Sequence, residues 1–107
     1  MKPTINILGT EYRIEFRELG KEECDGFCDS TEHLIVIRSD NVNEVGNMEE
    51  LTRKNLRHEV IHAFMYESGL GCNWKHPDQF GQDETVVDWF AIQSPKIYKA
   101  FQELEIL

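Results

Sequence analysis

Apolar and polar positions follow a strand period in the first third of the chain and a helix period afterwards. Ile5 to Leu8 is a short apolar-rich run. Tyr12, Ile14 and Phe16 then alternate with Arg13, Glu15 and Arg17. One side of that segment is apolar and the other charged, as on a half-buried strand. Gly9-Thr10 between the two runs suits a tight hairpin turn. Leu19 to Glu32 is polar and contains glycine, which reads as a loop. His33 to Ser39, "HLIVIRS", is short and β-branched, a third strand with both faces at least partly covered.

The period lengthens near Met48. Asn47 suits an N-cap, with Glu50 three residues later as in a capping box. Glu49 and Glu50 also suit the positive end of the helix dipole. Leu56, Val60, Ala63 and Phe64 make one apolar face. Gly69 can close the helix in a left-handed conformation, with Leu70 packing back. Residues 71–82 form a loop with Gly and Pro punctuation, and a second helix is expected from Asp83 to Gln93. Ser94-Pro95 looks like an N-cap and a first-turn proline opening a third helix, with Ile97, Phe101 and Leu104 as its apolar stripe.

Strands first and helices after predict an α+β fold. It comprises a small three-stranded antiparallel or mixed sheet, then three helices, in a single domain spanning 1–107. A chain of 107 residues has room for one core.

The net charge is −9, from 11 basic and 20 acidic residues, and no Lys/Arg stripe is present. Nucleic acid and anionic membrane surfaces are therefore disfavoured as partners. No apolar run reaches membrane-spanning length, and the start of the chain lacks the pattern of an export signal. Three cysteines, Cys24, Cys28 and Cys72, are an odd number. Reduced thiols in a cytoplasmic protein are the expectation.

Within the first helix lies His58-Glu59-Val60-Ile61-His62. Residues four apart stand on one helix face, so both imidazoles can converge on one ion. Zn²⁺ takes nitrogen ligands in tetrahedral sites. Glu59 is rotated off that face, too far to be a ligand yet near enough to move a proton beside one. Catalytic zinc needs a third protein ligand. Glu84 and Asp88, again four apart, supply carboxylates on the second helix. One can bind the metal while the other accepts a hydrogen bond from a histidine's free N–H.

This combination, His58-Glu59-x-x-His62 followed by Glu84-x-x-x-Asp88, resembles the gluzincin branch of zinc metallopeptidases. The stretch from about residue 53 to 92 looks like the short phage- and mobile-element-encoded members, the minigluzincins. The resemblance implies zinc held by His58, His62 and Glu84, with Glu59 as general base and acid and Asp88 buttressing a histidine. It implies peptide hydrolysis, with the substrate lying as an added strand along His33–Ile37. His76 and Tyr98 are the candidates for the oxyanion-stabilising side chain of that branch. The chain is shorter than a typical gluzincin. The alternative expectation is a zinc-stabilised binding module of the same fold that cleaves nothing.

Overall fold

The computed structural model describes residues 3–70 and 84–107, without the side chains of residues 84, 85, 87, 88 and 91. Four strands precede two helices: β1 (Thr4–Ile7), β2 (Thr10–Arg17), β3 (Gly26–Asp29), β4 (Leu34–Arg38), α1 (Met48–Glu67) and α2 (Glu84–Leu104). The strands form one mixed sheet in the order β1-β2-β4-β3. The α+β class is as expected, while the strand and helix counts differ.

β1 and β2 form an antiparallel hairpin in which Ile7 pairs with Thr10. The turn is therefore Leu8-Gly9, one residue earlier than expected. Both residues have positive φ, 52° and 98°, as a two-residue hairpin of this twist requires. Asn6 Oδ1 steadies it by accepting from the Gly9 N–H at 2.9 Å.

β4 runs parallel to β2 and antiparallel to β3. All five of its residues are buried. Both of its backbone edges are occupied, so the expected pairing of His33–Ile37 with a peptide does not fit this strand. β3 is the outer strand instead, and it falls within Leu19–Glu32, the stretch read as a loop. It forms because an apolar strand such as β4 cannot leave its backbone groups unpaired at a dry edge.

The segment leading into β3 wraps a buried guanidinium. Arg38 is 3% exposed. Its Nη1 donates to Gly20 O at 3.0 Å, and its Nη2 donates to Glu22 O at 2.6 Å and Cys24 O at 3.0 Å. Asp40 faces the same guanidinium at 2.9 Å. Asp40 in turn accepts the backbone N–H groups of Leu19 and Gly20.

α1 follows the sequence expectation closely. Asn47 Oδ1 caps it by accepting from Glu50 N–H at 3.1 Å. Gly69, at φ 85°, follows Ser68 at the far end. Leu56, Val60, Ala63 and Phe64 are buried against Ile5, Ile7, Ile14, Ile35 and Ile37 of the sheet. At about 1.5–3 kcal/mol for each large apolar side chain buried, this face is what holds the helix on the sheet.

α2 is one helix through Pro95, where two were expected. A proline inside a helix forfeits one backbone hydrogen bond and its ring crowds the carbonyl four residues earlier, a cost that packing can offset. Ile97, Ala100 and Leu104 bury their stripe in the shared core. Ile106 folds back after a left-handed Glu105 (φ 57°) and is fully buried. Arg57 Nη1 donates to the Ile106 carbonyl, tying α1 to the tail after α2. Among the described residues, no helix is long and apolar enough to cross a membrane.

Candidate metal centre

α1 carries the HExxH residues in its middle, where the helix is regular and its inner face is packed. His58 is exposed and His62 half-buried. Their rings meet edge to face, with centroids 4.8 Å apart and planes at 69°. Their Nε2 atoms are 3.2 Å apart. Two ligands 2.0–2.1 Å from a tetrahedral Zn²⁺ stand about 3.3–3.4 Å apart, so the pair nearly matches the bite of the ion. Two protonated nitrogens could not share that distance. Either one ring donates to the other, or both turn lone pairs to a cation.

Glu59 lies off this face and is 7% exposed. Burial pushes its carboxyl up, while the nearby His58 and His62 pull it down. Asn55, one turn earlier, is 8% exposed, and its Nδ2 has no hydrogen-bond partner. α1 therefore presents an outer histidine pair and, beside it, a buried polar strip of Asn55 and Glu59.

Cys28 reaches this strip from β3. Its thiol is half-buried and pushed up to about 12, first by burial and then by the charges of Glu59, Asp29 and Glu67. Among the described residues, Cys24 and Cys28 form no disulfide.

Glu84 is the first residue of α2 and Asp88 stands one turn later, both on the helix as expected. Their side chains lie outside the described residues, as do Cys72 and His76. Among the described residues, no group of three or more His, Cys, Asp or Glu could hold a metal. Tyr98 is exposed on α2, lining an apolar groove with Phe90, Pro95 and Phe101.

Two contacts near the site have no signature in the sequence. Glu67 accepts from Tyr12 Oη at 2.7 Å and from Thr10 Oγ1 at 2.8 Å, joining the last turn of α1 to β2. Trp89 Nε1 donates to Ser68 Oγ at 2.6 Å, joining α2 to the end of α1. A Tyr or Trp with a polar tip inside an apolar run hints at such a bond but does not name the partner.

The chain matches no protein-family model, no curated protein and no solved structure.

Proposed function

We propose that the protein is a zinc-dependent metallopeptidase. The observation that carries this reading is the 3.2 Å separation of the His58 and His62 Nε2 atoms, beside a buried Glu59. Their Nε2 lone pairs fit a tetrahedral cation, and the imidazole donor set suits zinc. Glu84 completes the ligand set in this reading, and Asp88 accepts a hydrogen bond from a ligand histidine. Zinc held there supplies Lewis acidity, polarising a peptide carbonyl and acidifying water.

The chain's own residues do the rest. His58 and His62 are held by the packing of Leu56, Val60, Ala63 and Phe64 behind them, and rigidity sets the geometry of the pair. Glu59 takes the proton of the attacking water and hands it to the leaving amine. Its low exposure suits that task, since burial brings a carboxyl closer to neutral operation. An extended substrate pairs with β3, the outer strand that α1 also packs against, and not with β4. Free thiols are in keeping with a reducing, cytoplasmic setting.

Glu59→Gln separates binding from chemistry. The variant should hold about one zinc per chain, as wild type does, and cleave nothing in a broad peptide library that wild type cuts. Normal cleavage by the variant would remove Glu59 from the mechanism. Zinc bound by wild type without any cleavage would favour a binding module.

A further inference from the structure

β3 has one edge paired with β4, and among the described residues its other edge is open. The Arg38 N–H donates to Asp25 O at 2.8 Å, which marks 25 and 38 as a hydrogen-bonded pair of the antiparallel ladder. Pairs alternate along such a ladder. Phe27 opposite Val36 and Asp29 opposite Leu34 therefore share the bonded type. Gly26 and Cys28 are of the other type, so their N–H and C=O groups turn away from β4. Among the described residues, no other strand pairs with that edge. Unpaired groups in this arrangement are a template for an extended chain.

The charge around the edge decides which chain. From residue 22 to 32 there are five carboxylates, Glu22, Glu23, Asp25, Asp29 and Glu32, and no Lys or Arg. From α1, the charges of Glu59 and Glu67 also reach Cys28. The facing cations are few. Arg38 is buried, with Nη1 and Nη2 bonded to loop carbonyls and Asp40 and its Nε ion-paired with Asp25 at 3.3 Å. Lys21 stands at the start of the segment, and His33, His58 and His62 lie on neighbouring elements. A second copy of this chain, itself at −9, would bring like charge against like.

We propose that the open edge of β3, at Gly26 and Cys28, takes an extended peptide rich in Lys or Arg as a fifth strand. The backbone bonds supply the docking, and the carboxylates at both ends of the strand select the basic sequence. This rests on the peptidase reading for its consequence, since it names the substrate class of that site. The docking itself needs no metal.

Fluorescence anisotropy tests it with the full chain in EDTA, so that no metal-dependent cleavage intervenes. The probes are a labelled peptide of alternating Lys and Val, its Glu-Val counterpart, and the Lys-Val peptide with alternate backbone nitrogens methylated. The Lys-Val peptide should bind at least about tenfold tighter than the Glu-Val one, weakening as salt rises. Methylation should weaken it at least about tenfold, because strand pairing needs the N–H groups. Glu22→Lys with Glu23→Lys should narrow the Lys/Glu preference. Equal binding of the two sequences overturns the charge selection, and undiminished binding of the methylated peptide overturns strand addition. If the preference holds but wild type takes up no zinc, the peptidase reading falls and this one stands. Zinc uptake without the preference sinks only the inference.

Discussion

Tyr12, which has no exposed surface, donates its hydroxyl to Glu67 at 2.7 Å across fifty-five residues of chain. The second carboxylate oxygen accepts from Thr10, and the His33 ring packs on Tyr12 at a tilt of 55°, with centroids 5.3 Å apart. Among the described residues, these are the side-chain hydrogen bonds that join α1 to the sheet. Apolar burial is non-directional and leaves the axial register of a helix loosely set. A part-buried polar pair is directional, so this one fixes where His58, Glu59 and His62 stand over the sheet. Tyr12→Phe keeps the ring and leaves Glu67 one donor short. The loss of a bond to a charged group should cost about 1.5–3 kcal/mol. Urea denaturation should show a lower midpoint at unchanged slope, and coincident midpoints would refute the role.

The same pair makes stability depend on acid. The Tyr12 bond holds the Glu67 carboxyl below the usual range, outweighing burial, with help from Thr10 and the charge of His33. A carboxyl lowered in the folded state binds fewer protons there than in the unfolded chain. Its contribution is therefore full above the unfolded glutamate pKa of about 4.3 and is lost as pH falls through the lower folded value. Wild type should lose stability from about pH 5 downward. Tyr12→Phe should lose less over the same range, so that the gap between the two proteins narrows toward pH 3. Urea midpoints from pH 7 to pH 3 measure this, and parallel curves would contradict it.

Local signals carried α1 and the histidine pair, because capping, apolar period and i,i+4 spacing all lie within one stretch of chain. Nonlocal relationships were invisible to them. β3 is four residues long in an acidic, glycine-containing segment, and it exists because β4 has an edge to cover. Sheet order likewise depends on partners distant in sequence. The uniformly apolar "LIVI" already indicated two covered faces, yet it could not say that both edges were covered too. The Tyr12–Glu67 and Trp89–Ser68 bonds join positions that share no pattern.

Pro95 misled for a different reason, since Ser-Pro is a good helix opening when nothing upstream is helical. Here it lies inside α2, where it forfeits one helical hydrogen bond while the flanking stripe stays buried. Pro95 itself is exposed. Pro95→Ala should therefore stabilise the protein, by up to about 3 kcal/mol from intrinsic helix preference. Were Pro95 the first residue of a separate helix, alanine would bring no gain. A thermal melt distinguishes the two cases.

Gly26 is where β3 comes closest to its neighbour. A Cβ built there would stand 2.5 Å from the Val36 carbonyl oxygen, a backbone atom with no rotamer to change. Gly26→Ala must push β3 away from β4, at the cost of overpacking, about 1–3 kcal/mol. The displacement should also loosen Cys28. Its thiol, now half-buried, should react faster with a maleimide at neutral pH than in wild type. An unchanged rate would mean that the strand absorbs the methyl group without moving.

Metal binding should register as folding stability, because a ligand that binds only the folded form stabilises it by mass action. At a free zinc concentration of a hundred times the dissociation constant, the gain is about 2.7 kcal/mol. For a domain of this size, that corresponds to a rise in Tm of about 10 °C or more. His58→Ala and His62→Ala should each abolish the rise, since one imidazole cannot span the pair that now stands 3.2 Å apart. Glu59→Gln should keep it, because Glu59 lies off the chelating face. Excess EDTA should return wild type to the melting point of the His58→Ala variant measured without zinc, apart from the small effect of the substitution. A zinc-induced rise that survives both histidine substitutions would place the metal elsewhere and remove the basis for assigning catalysis to α1.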